Sequence, residues 1–539
     1  MTVANEFELT GANRIGRHES RAGGRSFTSQ NPRTGQPGAV PFAEATPAEA
    51  AAAAALAGET FRQWRSTSQP EARARFLRSA ATRLRDWRDR IVAIADDETG
   101  LGAARLNGEL DRTCVQLESF ADLLDEGSYV DAIISVADPQ ARPVARPDVR
   151  RMLVPIGPVA VFTPSNFPLA FGVAGGDTAS ALAAGCPVIV KGHPAHGGTS
   201  EACARAIEAA AAETSMPAGV LSLLQARSVE TAQALVAAPE LEAVAFTGSE
   251  TAGRAIHDLA AARRRPIPVY AEMGSVNPVF IGSDALAARA AEIAEGLAGS
   301  ITTGTGQFCT KPGLVFVPDD DAGRAFERDL ADRVAARPVG VMLYAGLHTT
   351  LAERVDRTMK LPGVERLTPR TLDDGSGPGF ARPGVVVATD AATFLATPAL
   401  SEEHFGPVSI VVRCPTGEMV DLASRLHGNL TATIHAESSE HAWAAALADA
   451  VVEHVGRVVW NGYPTGVAVT WGMCHGGPYP ASTAPAHTSV GVTAIRRFLR
   501  PVAFQNTPDN LLPEALRDVN PLGIQRLVEG VWTREPVRR

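Results

Sequence analysis

Residues 302–312 (TTGTGQFCTKP) surround a cysteine whose neighbours suit a nucleophile. The small residues before Cys309 leave little side-chain bulk, so a substrate carbon can approach the sulfur, and Pro312 prevents a helix from continuing past it. A cysteine that only packs needs no such access, although most free cysteines are small buried hydrophobes. The stretch therefore predicts Cys309 as a nucleophile, with a packing thiol as the alternative.

Glu272 is a second candidate, because it directly follows a predicted strand over residues 268–271. A carboxylate among Ala, Met and Gly residues would be poorly solvated, which would raise its pKa toward that of a useful general base. The alternative is a solvated loop acid, since most glutamates are exposed.

These residues require a scaffold that brings distant segments together, and residues 157–336 predict one. Strands are predicted over 159–162, 188–191, 220–224, 243–246, 268–271, 278–281 and 314–317, and helices over 168–184, 199–212, 229–237, 250–262, 285–299 and 322–336. Strands and helices that alternate at this spacing favour parallel, doubly wound α/β sheets in two successive units. Ligands of such sheets bind at the carboxyl ends of the strands.

The turn Thr247-Gly248-Ser249 lies at one predicted strand end, before the helix that starts at Glu250. Thr247 and Glu250 have the spacing of a capping box, and the free N–H groups of a helix start favour an anion. The turn predicts a pyrophosphate site, although it lacks the GxGxxG spacing of the common dinucleotide motif.

The remaining parts of the chain have less specific patterns. Thr46 and Glu49 form a predicted capping box that opens a helix, and further helices are predicted over 73–95 and 107–124. Residues 142–154 form an extended, proline-rich arm, and residues 490–493 resemble a strand. The Gly- and Pro-rich residues 460–485 form a loop of a length that is usually functional or disordered.

Composition excludes several classes of function. A chain of 539 residues predicts two or three domains, and its net charge of −9 argues against a nucleic-acid partner. The longest low-polarity run is too short to span a membrane, which favours a soluble protein. Six cysteines without CxxC spacing indicate reduced thiols and a cytoplasmic location.

Two residue pairs that contain histidine are rejected as functional sites. His193 and His196 lack a third ligand at plausible spacing, so no metal site is predicted. Cys474 and His475 are adjacent, and adjacent side chains in extended chain point to opposite sides, so they are not predicted to act as a dyad.

With these motifs in place, the chain resembles the aldehyde dehydrogenase family from about residue 31 to about residue 510. The motifs that carry the resemblance are PSNFP at 164–168, Lys191, FTGS at 246–249 with Gly253, EMG at 272–274, GQFC at 306–309 and EHFGP at 403–407, all in the order of the family. The resemblance implies an α/β fold with two doubly wound domains and a small β oligomerisation arm. It implies an NAD(P)-binding domain over 1–140 and 157–271, a catalytic domain over 272–486, an arm over 141–156 and 487–505, and a C-terminal extension over 506–539.

The resemblance also implies roles for individual residues. Cys309 would attack an aldehyde, the amide of Asn166 and the backbone N–H of Cys309 would receive the oxyanion, and Glu272 would activate water to release the acid. The implied cofactor-binding residues are Lys191, Thr247, Gly248, Ser249, Gly253, Glu403, Phe405 and Arg227.

The expected cofactor is NADP or NAD, with NADP slightly favoured. Members that prefer NAD often carry a glutamate three residues after the lysine, and such an acid would repel a 2′-phosphate. This chain has Pro194 at that position, so the repulsion is absent. Lys191 and Arg227 could supply the cation for that phosphate. The arm implies a homodimer or homotetramer, because exposed strand edges need cover.

Segments 171–187, 191–196, 464–467 and 475–480 are similar to α-ketoglutaric semialdehyde (2,5-dioxovalerate) dehydrogenases within the family. Such a substrate has a distal carboxylate, for which Arg112 and Thr465 are candidate partners. Three alternatives remain: an NADP-dependent medium- or long-chain aldehyde dehydrogenase, a cysteine hydrolase or acyltransferase without nicotinamide, and a scaffold without catalysis.

Overall fold

The computed structural model describes residues 7–67, 69–369 and 379–538, except for the side chains of residues 65–67. The helices are α1 (Pro47–Thr67), α2 (Pro70–Asp86), α3 (Arg88–Thr99), α4 (Ala103–Glu126), α5 (Gly176–Ala184), α6 (Gly197–Glu213), α7 (Val229–Ala237), α8 (Glu250–Ala261), α9 (Ser283–Thr302), α10 (Asp321–Ala335), α11 (Ala345–Thr358), α12 (Ala391–Ala396), α13 (Met419–Ala423) and α14 (His441–Val452). The strands are β1 (Asn13–Ile15), β2 (His18–Ser20), β3 (Ser26–Phe27), β4 (Phe42–Ala43), β5 (Ile133–Ser135), β6 (Val149–Pro155), β7 (Val159–Phe162), β8 (Val188–Gly192), β9 (Leu221–Gln225), β10 (Ala243–Thr247), β11 (Val269–Glu272), β12 (Val279–Ile281), β13 (Leu314–Pro318), β14 (Gly340–Val341), β15 (Glu365–Arg366), β16 (Ala381–Arg382), β17 (Val385–Asp390), β18 (Val408–Cys414), β19 (Asn429–His435), β20 (Val455–Trp460), β21 (Leu499–Gln505), β22 (Arg526–Val528) and β23 (Val531–Thr533).

The first sheet has the strand order β11-β10-β7-β8-β9-β1-β2. The five strands from β11 to β9 are parallel, and β1 and β2 continue the sheet in antiparallel register. Side chains alternate between its two faces, so Val159 and Val161 pack with α2 to α6, whereas Ala160 and Phe162 pack with α1, α7 and α8. This is the doubly wound α/β arrangement that the sequence predicts.

The second sheet has the order β15-β17-β18-β13-β12-β19-β20 and is parallel except for β15. Helices α9 and α10 cover one face, and α11 to α14 cover the other. The chain passes from the first sheet to the second between β11 and β12. The carboxyl end of β11 therefore lies where the two sheets face each other.

A third sheet has the order β21-β6-β5-β22-β23. The predicted arm strand β6 pairs antiparallel with β21 over seven residue pairs. The short strand β22 pairs in parallel with β5, so part of the predicted C-terminal extension joins the same sheet as the arm. The paired strands β14 and β16, and likewise β3 and β4, complete the β structure given above.

Local sequence signals fixed some helix boundaries and failed at others. The capping box at α1 is confirmed, because Glu49 N–H donates to Thr46 Oγ1 at 3.2 Å and Thr46 N–H donates to the Glu49 carboxylate at 2.9 Å. The predicted helix over 73–95 is wrong in extent, since Trp87 separates α2 from α3. The strand predicted over 490–493 is also wrong, because a 3₁₀ helix covers Val492–Phe498.

The helix predicted over 168–184 begins only at Gly176. Buried Glu109 on α4 accepts hydrogen bonds from the N–H groups of Leu169 and Ala170, at 2.9 and 3.0 Å, and holds this segment in turns. A tertiary contact therefore overrides the local helical pattern. None of the helices in the described ranges is long and apolar enough to cross a membrane.

Candidate active site

Cys309 follows a backbone turn that few side chains tolerate. Gly304, Thr305 and Gly306 all have positive φ, of 56°, 56° and 64°. A Cβ on Gly306 would lie 2.3 Å from the carbonyl of Gly406, so glycine is required there for space as well as for conformation. The small residues seen in the sequence thus form the loop itself and bring it against residues 406–407.

Two buried amides hold this loop. Gln307 donates from Nε2 to the carbonyls of Gly304 and Val341, at 3.1 and 3.2 Å, and its Oε1 accepts from Leu343 N–H at 2.9 Å. Asn277, on the passage between the sheets, donates to the carbonyl of Cys309 at 2.8 Å. The nucleophile is therefore fixed from both sides of its backbone, which preorganises it for attack.

Asn166 follows β7 and reaches the same place. Its Nδ2 donates to the carbonyl of Gln307 at 2.9 Å, beside Cys309, and its own carbonyl accepts from Arg105 Nη2 at 2.6 Å. An amide NH₂ has two hydrogens, so one remains for an oxyanion near the sulfur. The predicted oxyanion donor and nucleophile are thus neighbours.

Glu272 ends β11 beside Thr247, the last residue of β10. Its Oε2 accepts from Ser489 Oγ at 2.5 Å, and its Oε1 lies 2.9 Å from His475 Nε2. Burial acts to raise the pKa of Glu272, but the charge and hydrogen bond of His475, with Ser489, bring it below its usual value. The raised pKa expected from the sequence is therefore wrong, because these partners stabilise the carboxylate.

His475 is the site residue that sequence reasoning missed. Its side chain is buried, and its Nε2 lies 3.4 Å from Cys309 Sγ. Residues 461–491, here named the late loop, run along β11: Met273 N–H donates to Ala481 and Thr483 N–H donates to Ala271. The unusual length of this loop was the available signal in the sequence, but the sequence pattern pairs His475 only with its neighbour Cys474 and not with Cys309.

The sulfur lies in a setting that resists ionisation by itself. Burial and the charge of Glu272 raise the pKa of Cys309 well above its usual value, whereas Arg112 opposes the shift. The sulfur of Cys309, an imidazole nitrogen of His475 and a carboxylate oxygen of Glu272 all lie within 4.8 Å of one another. A thiolate at Cys309 therefore depends on neighbouring groups that favour its negative charge.

A cavity of about 960 Å³ connects Cys309, Glu272 and Asn166 with the predicted cofactor-binding residues. Its lining includes Lys191, Thr247, Gly248, Ser249, Glu403 and Phe405. The N-cap of α8 is Ser249, whose Oγ accepts from Ala252 N–H at 3.4 Å, and not Thr247 as the sequence predicted. Gly253 lies beneath the turn, where a Cβ would contact the sulfur of Met273 at 2.6 Å.

Two charged groups of intermediate exposure line the cavity. Burial lowers the pKa of Lys191 to about 8, and the charge of Glu44 acts against this shift. Burial raises the pKa of Glu403 to about 7, and the ammonium of Lys311 acts against it. Arg227, the other predicted cation, is exposed and does not line this cavity.

A separate surface adjoins Cys309 through aromatic rings. Phe167 packs edge-on against Phe308 at 5.0 Å and against Phe171 at 5.5 Å. The guanidinium of Arg112, on α4, lies 5.5 Å from the centre of the Phe171 ring, and its Nε and Nη2 are buried without a hydrogen-bond partner among the described residues. The hydroxyl of Thr465, the other candidate partner of a distal carboxylate, is hydrogen-bonded to the hydroxyl of Ser300 at 2.5 Å.

Arg457 on β20 is a further cation that sequence reasoning missed. It donates to the carbonyls of Pro464 and Gly466, at 2.6 and 3.0 Å, while its Nε is buried without a hydrogen bond among the described groups. Burial lowers its pKa and the charge of Cys309 opposes that shift. The strand pattern around Arg457 gives no indication in the sequence that its charge acts on Cys309.

Comparisons with known proteins point to one family. The family model described as "Aldehyde dehydrogenase family" matches residues 18–483. The chain is 45% identical over 526 residues to Alpha-ketoglutaric semialdehyde dehydrogenase 2 of Azospirillum brasilense, which covers 97% of this chain and 99% of that protein. It is 40% identical over 503 residues to Alpha-ketoglutaric semialdehyde dehydrogenase of Acinetobacter baylyi, with 93% and 94% covered. The solved structure of PnpE in complex with nicotinamide adenine dinucleotide matches with a TM-score of 0.79 at 20% identity, over 92% of this chain and 97% of that one.

Proposed function

This chain belongs to the aldehyde dehydrogenase family, and we propose that it oxidises α-ketoglutaric semialdehyde (2,5-dioxovalerate) to 2-oxoglutarate. It is an oxidoreductase that acts on an aldehyde with a nicotinamide cofactor. Family membership removes two of the alternatives raised by the sequence, the hydrolase without nicotinamide and the scaffold. The substrate is supported by two relatives of that name that match nearly the whole chain.

The structural observation that supports this substrate is Arg112. Its guanidinium has two buried nitrogens without a hydrogen-bond partner among the described residues, and its charge acts on the pKa of Cys309. A buried, unpaired donor is costly unless a ligand satisfies it. The distal carboxylate of a semialdehyde bound at Cys309 would do so, whereas the tail of an alkyl aldehyde would not.

The roles of the site residues follow from their contacts. The Cys309 thiolate attacks the aldehyde carbon, and the free N–H of the Asn166 amide stabilises the oxyanion that forms. A bound nicotinamide would supply the hydride acceptor for the oxidation, and Cys309 would then hold the oxidised substrate as a thioester. Glu272 removes a proton from the water that releases the acid, and a stabilised carboxylate is the form able to do so.

The residues along the cavity fit a dinucleotide. The first turn of α8, a helix of 12 residues, lines the cavity and offers free N–H groups to a pyrophosphate. The Lys191 ammonium and Glu403 carboxylate, both poorly solvated, would hold the two riboses. We favour NADP slightly over NAD, because Pro194 places no acid where a 2′-phosphate would lie, although exposed Arg227 is now the weaker of the two predicted cations.

An aldehyde panel tests the substrate. The enzyme is assayed with 2,5-dioxovalerate, hexanal and decanal, each with NADP and with NAD, and kcat/KM is compared. We expect the highest kcat/KM with 2,5-dioxovalerate. Faster oxidation of decanal would instead favour the medium- and long-chain alternative, and the cofactor arms decide between NADP and NAD.

We further propose a homodimer or homotetramer that assembles through the arm. Strand β21 is an edge of the third sheet, so its outer hydrogen-bonding groups are available to a second strand. At the other edge, Val531 and Trp532 on β23 are 65% and 55% exposed. Light scattering at micromolar concentration checks this proposal, and a monomer would contradict it.

A further inference from the structure

We propose that His475 is a catalytic residue that accepts the proton of the Cys309 thiol and holds it between the sulfur and Glu272. The Sγ–H bond breaks, both electrons remain on the sulfur, and the proton moves to Nε2 of the imidazole. No oxidant or other reactant is required. The inference extends the proposed oxidation, since it concerns how the same sulfur becomes a nucleophile.

The first argument is distance. Nε2 lies 3.4 Å from Sγ in hydrogen-bond geometry and 2.9 Å from Glu272 Oε1. Two lone pairs would repel each other at the shorter distance, so a carboxylate oxygen there favours a proton on Nε2. With that proton in place, the sulfur faces a donor, and the form of Cys309 that the arrangement stabilises is the thiolate.

The second argument is that the backbone of His475 is held in place on both sides of its Cα. His475 N–H donates to Thr488 Oγ1 at 2.8 Å, and the His475 carbonyl accepts from Ser489 N–H at 2.8 Å. The Ser489 hydroxyl in turn donates to Glu272 Oε2 at 2.5 Å. The same segment of the late loop therefore positions both the imidazole and the carboxylate.

The third argument is that the other charged groups near the sulfur are insufficient. Glu272 and Glu403 disfavour a negative charge on Cys309, whereas Arg112 and Arg457 favour it, and burial opposes it. Glu272 could take the proton directly, but it would then be a neutral acid when water must be activated. Division of the work between two bases leaves the carboxylate free for the second step.

The test measures the reactivity of the thiol without any aldehyde or cofactor. All variants carry Cys474→Ser, because Cys309 is then the one free cysteine that is not buried. The rate of alkylation by iodoacetamide is measured from pH 5 to pH 10 for this parent, for His475→Gln, and for His487→Gln as a histidine control in the same loop.

We expect His475→Gln to lower the alkylation rate at pH 7 by about 10- to 100-fold and to move the midpoint of the pH profile upward by about one unit or more. The rates of parent and variant should approach each other toward the alkaline end of the profile, and His487→Gln should follow the parent. A uniform loss at every pH would indicate that His475 only positions the loop, and an unchanged profile would show that Glu272 alone takes the proton. Either result overturns the inference.

This outcome is independent of the substrate. If the alkylation profile shifts but 2,5-dioxovalerate is not oxidised, the proposed substrate fails while the role of His475 stands. If oxidation proceeds and the profile does not shift, the reverse holds.

Discussion

The two sides of Cys309 are built differently. On the nucleotide side, defined by Lys191, residues 247–249 and Glu403, the first two come from strand ends and the turn that follows, and Glu403 comes from the segment before β18. On the aldehyde side, defined by Phe167, Phe171 and Arg112, the two rings come from the long segment after β7, and the cation comes from the middle of helix α4. The difference suggests that this fold can keep one cofactor site while the other side adapts to different aldehydes.

The largest expected effect tests whether the two sides are separable at all. Cys309→Ala should lower kcat by about 10⁴-fold or more, because the covalent step is lost. Binding of NADPH, followed by its fluorescence, should remain as in the parent, since the nucleotide side does not include the sulfur. Comparable loss of nucleotide binding would show that the sides are not independent.

Asn166→Ala removes a donor that lies between the two sides. We expect kcat to fall by about 100- to 1,000-fold, as for loss of one oxyanion donor, with little change in KM for the aldehyde or the cofactor. Steady-state kinetics with Asn166→Asp as the second variant checks this. A change confined to KM would assign Asn166 to substrate binding instead.

Arg112→Met tests the aldehyde side, because it keeps an unbranched, largely apolar side chain and removes the guanidinium charge. The loss of a charge-assisted hydrogen bond, worth about 1.5–3 kcal/mol, should lower kcat/KM for 2,5-dioxovalerate by about 10- to 100-fold. Hexanal has no distal carboxylate and should lose far less. Equal losses of kcat/KM for both aldehydes would mean that Arg112 packs against the aromatic rings and does not bind the distal carboxylate. Arg457→Met, measured in parallel, shows whether the second cation shares this role.

The smallest effect concerns the nucleotide side and pH. The pKa of Glu403 is raised to about 7, so the carboxylate that would accept hydrogen bonds from a ribose is present above that pH and is lost as the pH falls through it. NADPH binding, followed by calorimetry, should therefore weaken by about 3- to 10-fold from pH 8 to pH 6. The dependence should disappear in Glu403→Gln. A weakening that persists in that variant would contradict this role of Glu403, because Lys191, whose pKa is lowered to about 8, gains its charge as the pH falls and would strengthen binding.

The same contrast explains what could be predicted from the sequence. The nucleotide side follows a strand-and-helix rhythm, and strand ends meet at one edge by topology, so Lys191 and the turn after Thr247 could be placed from pattern alone. The late loop has no period, and nothing local to His475 indicates that Cys309 lies beside it. The pKa of Glu272 was mispredicted for the same reason, because burial could be anticipated and its partners could not.

The close approach of Gly306 to Gly406 has a practical consequence for redesign. A side chain at Gly306 would clash with the backbone of residues 406–407, so the segment that presents the sulfur and the segment after Glu403 have no room to separate independently. We therefore expect a library that randomises either segment to yield mostly misfolded variants. Retargeting to bulkier aldehydes is better begun at Arg112 on α4, whose Nε and Nη2 have no hydrogen-bond partner among the described residues.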